Sequence, residues 1–191
     1  MRTVKEPDVR KQEILDGAVR VFAEKGYDKT TISILAKALG ISQGLCYRYF
    51  ASKEEIYYAA IEKYADLILE DDLHRQRQDL SIYEWIDSIG RTLGRLTAAE
   101  EKDPQLYALF HTAGNRAMHD LLLLRVAAKL LPHVQQVLRK AKEKGEIAIE
   151  DTDNIAVIGL YGELGLIFTE GLTEQERIAA ISMGWKHLLK L

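Results

Sequence analysis

Apolar residues recur along most of this chain at intervals of three and four positions, the spacing that places side chains on one face of an α-helix. The first two patterns comprise Ile14, Ala18, Val21 and Phe22, then Ile32, Leu35, Ala36 and Leu39. No run of alternating apolar and polar residues, the mark of a half-buried β-strand, competes with them. The pattern therefore predicts an all-α protein.

Residues that begin or end helices divide this pattern near the N-terminus. Gly26 is expected to end the first helix in a left-handed conformation, and Thr31 to cap the second by accepting a hydrogen bond from a backbone N–H. A third helix, over about 43–50, follows Gly40. Ser52 is expected to cap a fourth, which begins at Lys53 and runs to about residue 78.

The remaining sequence is also helical in pattern. Helices are predicted over about 82–99, from Pro104 onward, and over about 115–144, 152–170 and 173–190. Pro132 lies in a leucine-rich stretch and lacks the N–H that a helix interior uses, so we expect a break or a kink between Lys129 and His133. The chain is expected to divide functionally into residues 1–52 and 53–191.

The charge of the chain is unevenly distributed. The formal net charge is −3, which taken alone argues weakly against nucleic acid as a partner. Residues 1–53, however, hold ten Lys or Arg and six Asp or Glu and carry +4, whereas the rest carries −7. Because charge that attracts phosphate is concentrated at one end, nucleic-acid binding there is expected.

The single cysteine, Cys46, leaves no disulfide pair within the chain and no cluster with the spacing of a zinc site, which favours a reducing compartment. The N-terminal residues MRTVKEPDVRK lack the apolar core of a signal sequence, and no stretch reaches about twenty consecutive apolar residues. These features predict a cytoplasmic protein that does not bind a membrane. No cofactor or metal is expected.

Residues 31–50 have the form of two short helices joined by a tight turn at Gly40. Such a pair is a helix-turn-helix, whose second helix can enter the major groove of DNA. Cys46 and Phe50 are expected to pack inward beside Ile41, which leaves a Leu and two Tyr among the outward residues, an unusual set for a solvated face. Short amphipathic helices with glycine turns also occur in many proteins that do not bind DNA, so spacing alone leaves both readings open.

The outward residues fall into two chemical groups. Gln43 can pair bidentately with adenine, Gly44 lets the backbone approach the groove, and Leu45 can contact a thymine methyl group, so these three are predicted to read sequence. Residues with groups suited to phosphates, which position a protein without reading sequence, are Thr30, Thr31, Ser42, Tyr47 and Lys53. Arg48 is suited to either role.

Residues 10–60, RKQEILDGAVRVFAEKGYDKTTISILAKALGISQGLCYRYFASKEEIYYAAI, closely resemble the N-terminal domain of the TetR family of bacterial repressors. The most specific elements of the match are Phe22, Gly26, Thr31, LAKALGIS at 35–42, YRYF at 47–50 and SKEEI at 52–56. The resemblance implies a three-helix DNA-binding domain whose third helix enters the groove. The implied DNA contacts are at Gln43, Gly44, Leu45, Tyr47, Tyr49 and Lys53.

The resemblance also implies a homodimer that binds a palindromic operator in double-stranded DNA, with the last two helices of each chain forming the dimer interface. The segment GLYGELGLIFTEG and the last helix carry the small residues predicted to lie there: Gly159, Gly162, Gly165, Ala180 and Gly184. The first three follow at intervals of three, a nearly bare strip that could admit another helix. The alternative is that these glycines cap or bend a core helix.

Relatives release DNA when a small molecule binds their C-terminal domain, so an effector pocket is expected here. Candidate lining residues on the middle helices, most of which could equally belong to the core, are Tyr64, Trp85, Ile89, Leu93, Leu106, Phe110, His111, Asn115, Met118 and His119. Their apolar majority suggests a hydrophobic effector with little or no charge.

His111, Asn115 and His119 recur at every fourth residue on one helix face. A shared metal ion is disfavoured because the two histidines would lie about 12 Å apart along the helix. Hydrogen bonding to a ligand and a solvated or core position both remain open for them.

Sequence motifs of other functional classes are absent. There is no G-x-S-x-G, no phosphate-binding loop and no HExxH, so an enzyme is not expected. A DNA-binding protein without a small-molecule ligand would explain the N-terminal segment but not the long C-terminal part. The predicted function is therefore a transcriptional repressor that binds DNA and responds to a ligand.

Overall fold

The computed structural model describes residues 6–75, 80–102 and 116–191, and these residues form helices and connecting turns without a strand. The helices are α1 (Pro7–Lys25), α2 (Ile32–Ala38), α3 (Gln43–Tyr49), α4 (Lys53–Arg75), α5 (Ile82–Lys102), α6 (Arg116–Glu143), α7 (Thr152–Phe168) and α8 (Glu174–Leu189). The predicted all-α class is confirmed. The helix expected from Pro104 lies outside the described residues.

The chain divides into two compact units. The first comprises Met1–Asp66 with Glu100–Leu122, and the second comprises Leu67–Ala99 with Leu123–Leu191. The first unit therefore takes in α1 to α3 and the first part of α4. A functional boundary after residue 52 stays a prediction.

In the first unit, α1 packs against α2, and α2 packs against α3. Pro7 stands in the first turn of α1, where its fixed φ suits the helix. Gly26 ends the helix as predicted, but with φ 79° and ψ 156°, a positive φ outside the left-handed helical conformation that was expected. Gly17 permits the close approach of the chain that follows α2, because a Cβ at this position would overlap the side chain of Leu39. The inner face of α1 is buried, including Ile14, Ala18 and Phe22.

The second unit has its own hydrophobic core. The ring planes of Trp85 on α5 and Trp185 on α8 meet edge to face, with centroids 5.0 Å apart and an angle of 80°. Buried residues of the same cluster come from α5, α6, α7, α8 and the chain before α7, and include Ile82, Ile86, Val134, Leu138, Ile147, Ala156, Leu160, Ile181 and Leu189. These helices therefore share one core.

Pro132 lies inside α6, which continues without interruption from Arg116 to Glu143. A break between Lys129 and His133 is therefore wrong, and the alternative of a kink there stays a prediction. The proline is exposed, so its ring lies away from the core, while Val134 and Leu138 in the following turn are buried. Burial of these neighbours offsets a cost of about 3 kcal/mol for a proline within a helix.

One described segment, Ala117–Glu143 in α6, is long and apolar enough to cross a membrane, judged by length and composition alone. Core helices of soluble proteins pass the same test. Leu122, Val126 and Leu138 of this segment are buried within the protein. The segment is therefore weak evidence for a membrane span.

Candidate nucleic-acid interface

The turn between α2 and α3 is closed by backbone hydrogen bonds. The amide of Gly40 donates to the carbonyl of Lys37 at 3.2 Å, and the amide of Ile41 donates to the carbonyl of Ala36 at 3.0 Å. Gly40 has φ 64°, a left-handed value that residues with a side chain rarely adopt. This turn fixes the direction in which α3 leaves α2.

Side chains cap the helices around this turn, as predicted for Thr31 and Ser52 but not for Ser42. The side-chain oxygen of Thr31 accepts from the amide of Ile34 at 3.3 Å, and that of Ser42 accepts from the amide of Leu45 at 3.2 Å. Ser52 caps α4 in the same way, accepting from Glu55 at 3.2 Å. Because each hydroxyl is the acceptor in these bonds, its own proton remains for another acceptor.

The inner face of α3 is formed by Cys46 and Phe50, with 0% and 1% of their surfaces exposed. This confirms their predicted inward packing. Burial also raises the pKa of the Cys46 thiol. Because the thiolate is the reactive form, Cys46 serves as a packing residue in the folded protein.

The opposite face of α3 is open to solvent. Tyr47 is 54% exposed, and Gln43, Gly44 and Arg48 are also exposed, while Leu45 and Tyr49 are half-buried. The amide nitrogen of Gln43 donates to the hydroxyl of Ser33 on α2 at 3.2 Å. All the α3 residues predicted to meet DNA are thus at least partly accessible, and their contacts with DNA stay predictions.

Thr30 does not belong to this surface. Its side chain is fully buried, and its hydroxyl donates to the carbonyl of Gly26 at 2.7 Å. A phosphate cannot reach that hydroxyl in this structure, so the expectation of a phosphate contact is corrected. Thr30 instead stabilises the turn between α1 and α2.

Lys53, the first residue of α4, is bound to the turn that follows α1. Its ammonium group donates to the carbonyl of Tyr27 at 2.9 Å and lies 3.8 Å from the centre of the Tyr27 ring. The hydroxyl of Tyr27 in turn donates to the carboxylate of Glu54 at 2.9 Å. Burial, followed by this hydrogen bond, raises the pKa of Tyr27 to about 12, so the hydroxyl stays protonated at neutral pH.

Further contacts join α1 to α4 within the first unit. The Phe22 and Tyr57 ring centroids are 6.0 Å apart, and the centroid of Tyr27, in the turn after α1, lies 4.4 Å from that of Tyr57. Lys63 on α4 forms an ion pair with Asp16 on α1. The first half of α4 is therefore held to α1 and to the turn that follows it by aromatic, ionic and hydrogen-bond contacts.

Tyr27 and Ser33 have roles that sequence reasoning missed. Tyr27 directly follows Gly26, where an aromatic residue beside a helix end is a signal for packing against the next long helix. Ser33 lies two residues after the cap Thr31 and offers a hydroxyl on an exposed helix face. A single polar residue in such a position gives no pattern that would have marked it.

The predicted effector-pocket residues are only partly described. Tyr64, Trp85 and Met118 are buried, and Ile89 and His119 are half-buried. Tyr64, Met118 and His119 belong to the first unit, whereas Trp85 and Ile89 belong to the second. Phe110, His111, Asn115 and Leu106 lie outside the described residues, as does the side chain of Leu93. In the described part of the chain, no group of three or more His, Cys, Asp or Glu could hold a metal ion.

The glycines of α7 do not form one strip. Gly159 is buried, and a Cβ at this position would overlap the ring of Trp185 in the same chain. Its assignment to a dimer interface is therefore corrected: the glycine admits a tryptophan of its own chain. Gly162, Gly165 and Gly184 are exposed, and Ala180 is half-buried. An interval of three residues rotates about 60° around a helix per step, which separates Gly159 from Gly165.

Glu163 on α7 lies beside the same tryptophan. Its carboxylate accepts a hydrogen bond from the indole nitrogen of Trp185. Burial raises the pKa of this carboxyl group to about 7, and the hydrogen bond from Trp185 opposes the shift. The group therefore titrates near neutral pH.

The tight turn, the two capped short helices and the open face of α3 define a helix-turn-helix protein. The family profile described as bacterial regulatory proteins, tetR family, matches residues 14–60. Residues 14–60 therefore form a DNA-binding domain of the TetR family type.

Individual relatives resemble this chain over different lengths. An HTH-type transcriptional repressor of Mycobacterium tuberculosis is 46% identical over 50 residues, which cover 26% of this chain and 27% of that protein. The regulator SrpR of Pseudomonas putida is 24% identical over 185 residues, which cover 94% of this chain and 83% of SrpR. The match thus spans well under two thirds of the mycobacterial relative and is strongest in the N-terminal domain.

The fold extends through the whole chain. The structure of FadR from Bacillus halodurans, described as a fatty acid degradation regulator, covers 98% of this chain and 97% of its own, with a TM-score of 0.62 and 22% identity. A structure of a TetR-family regulator from Syntrophomonas wolfei covers 97% of both chains, with a TM-score of 0.62 and 23% identity. At these identities the likeness concerns the fold alone.

Proposed function

We propose that this chain is a cytoplasmic transcriptional repressor that binds a palindromic operator as a homodimer and is released by a small hydrophobic effector. The observation that carries the DNA-binding part is the two-sided character of α3. Cys46 and Phe50 anchor one face in the core, while Gln43, Tyr47 and Arg48 leave the other face open. A helix held in this way can enter a major groove without loss of its own packing.

The residues of this face divide into two roles. Gln43, Gly44 and Leu45 contact base edges, and Gly44 suits close approach because a Cβ there would meet no described heavy atom within 4 Å. Thr31, Ser42, Tyr47 and Lys53 contact phosphates, and Tyr49, which is half-buried on α3, also contacts DNA. Arg48 serves either a base or a phosphate.

A homodimer is supported by the open surface of α7 and α8. Ile158 and Met183 are 57% and 55% exposed, and Tyr161 is also exposed. Gly162, Gly165 and Gly184 lie on exposed positions of the same two helices, where small residues let a second pair of helices approach closely. A two-fold dimer places two copies of α3 in successive major grooves, about 34 Å apart.

Release by an effector is supported by the resemblance to the family and by the course of α4. This helix begins at Lys53, which contacts the turn after α1, and continues past Asp66 into the second unit. An effector that prefers one position of α4 would shift the population of DNA-competent dimers. No enzymatic activity is proposed.

The DNA-binding part is tested by fluorescence anisotropy with labelled duplexes that cover the region upstream of this protein's own gene. Tight binding at low salt, which weakens linearly on a log–log plot as salt rises, is expected because neutralised phosphates release counterions. Absence of binding to every promoter-proximal duplex at low salt would contradict the proposal.

The division of roles is tested with two matched variants. Gln43→Ala should narrow the difference in affinity between the preferred duplex and a scrambled one, whereas Tyr47→Phe should weaken binding to both duplexes to the same extent. The same pattern in both variants would show that the assignment of base and phosphate contacts is wrong.

A further inference from the structure

The side-chain amide of Gln43 forms a hydrogen bond with a residue of α2, the other short helix. Its nitrogen donates to the hydroxyl oxygen of Ser33 at 3.2 Å, across ten positions of the sequence. Both side chains lie on the exposed surface formed by α2 and α3. The bond therefore links the two helices of the helix-turn-helix through the residue that is proposed to read a base.

The number of hydrogen-bonding groups decides what this bond leaves available. A glutamine amide has two N–H donors and a carbonyl oxygen. Ser33 takes one of the donors, so one donor and the carbonyl oxygen remain. These are the two groups that adenine requires, since its N7 accepts one hydrogen bond and its N6 donates another.

The position of Ser33 also limits the rotation of the Gln43 side chain. An unrestrained glutamine on a helix surface loses rotamer freedom when it binds a base, and this loss opposes binding. A hydrogen bond that already orders the amide removes part of that loss. The caps at Thr31 and Ser42 hold the two backbones that carry this pair.

We infer that Ser33 is a specificity-determining positioning residue, which orders the amide of Gln43 for bidentate recognition of adenine in the operator. This inference rests on the proposed function, because it concerns the same DNA-binding face. Ser33 itself is not proposed to contact a base. The hydroxyl proton of Ser33 remains available for a phosphate oxygen or for water.

The test is a selection of binding sites from a randomised duplex library by the full chain, followed by affinity measurements on the selected site. Gln43→Ala first identifies the base position that this residue reads. Ser33→Ala is then expected to reduce discrimination at that position by roughly three- to tenfold, with the preference at other positions unchanged. Ser33→Thr, which keeps the hydroxyl, should retain most of the discrimination.

The double variant Ser33→Ala, Gln43→Ala distinguishes a Ser33 that positions Gln43 from a Ser33 that contacts DNA by itself. If Ser33 acts through Gln43, the double variant discriminates no worse than Gln43→Ala alone. Additive losses, or an equal loss of affinity on every duplex, would overturn the inference while leaving DNA binding intact. If the wild-type chain selects no sequence at all, the proposed function itself fails. Matching thermal unfolding midpoints of Ser33→Ala and the wild type show that folding is not the cause.

Discussion

The ammonium group of Lys53 lies 2.9 Å from the carbonyl oxygen of Tyr27 and 3.8 Å from the centre of that residue's ring. The first residue of α4 is therefore fastened to the turn that connects α1 and α2. Glu54 accepts from the Tyr27 hydroxyl at 2.9 Å and adds a second connection at the same point. A displacement of the start of α4 would thus act on the turn that connects α1 to α2 through Tyr27.

Lys53→Ala is expected to weaken binding to all duplexes by about the same factor, roughly three- to tenfold, and to reduce the salt slope by about one. The reason is that the lysine contributes a charge near the phosphates and holds α4 in place, but reads no base. Anisotropy titrations over a salt series measure both quantities.

Lys140→Ala is the control for this prediction, since Lys140 is exposed on α6 and far along the chain from the helix-turn-helix. It should leave the affinity and the slope unchanged. A change of base preference in Lys53→Ala would contradict the assigned role.

Gly159→Ala is expected to destabilise the fold by about 1–3 kcal/mol, because the added methyl group overlaps the Trp185 ring in a packed core. Gly162→Ala is the matched variant on the same helix. A Cβ there meets no described heavy atom of its own chain within 4 Å, so at a protein concentration that keeps both variants monomeric the higher helix propensity of alanine should stabilise the fold by up to about 1 kcal/mol. Urea unfolding at equal protein concentration compares the two, and an equal effect of both would show that Trp185 does not fill the space beside Gly159.

Glu163→Gln is expected to change how stability depends on pH. The pKa of Glu163 in the folded protein is raised to about 7 from an ordinary 4.5. Between these pH values the folded chain binds more protons than the unfolded chain, so its stability falls as the pH rises. The contribution is fully present below pH 4.5 and is lost through pH 7, an effect on the order of 1–3 kcal/mol.

The measurement for Glu163 is the free energy of unfolding at several pH values. Glu163→Gln keeps an acceptor for the Trp185 indole and removes the titration, so its profile should be flatter than that of the wild type over this window. Glu150→Gln, an exposed position before α7, should keep the wild-type slope. A wild-type slope retained by Glu163→Gln would show that another group is responsible.

The thiol of Cys46 should react with a thiol-specific reagent at least about tenfold more slowly in the native protein than in denaturant. The side chain is fully buried under α3, and burial raises its pKa. Absorbance of the released reagent group follows the reaction. Rapid labelling of the native protein would indicate that α3 detaches from its core, in conflict with a rigid reading helix.

The sequence was informative wherever one residue type answers a local backbone requirement. Gly26 ends α1 with a positive φ, Gly40 lies in the predicted turn, and Thr31 and Ser52 cap their helices as predicted. The inward positions of Cys46 and Phe50 followed from helical periodicity. These features depend on neighbours within four residues, which a sequence displays directly.

The sequence did not predict features that depend on tertiary contacts. Thr30 looked like a polar surface residue, but the end of α1 brings the Gly26 carbonyl to its hydroxyl. The spacing of Gly159 predicted a place in an intermolecular strip, but its Cα packs against the ring of Trp185 on the next helix. Pro132 indicated a break or a kink, but α6 continues through it, because the burial of Val134 and Leu138 is not part of helix propensity. In each case a tertiary contact overrides the local rule.

The central claim is that two copies of α3 read two half-sites in successive major grooves. Hydroxyl-radical footprinting of the selected operator with the wild-type protein tests it most directly. Two protected, symmetry-related patches centred about 34 Å apart are expected, and the protection of each should be weaker with the Gln43→Ala variant. A single patch, or uniform protection that does not depend on sequence, would contradict it.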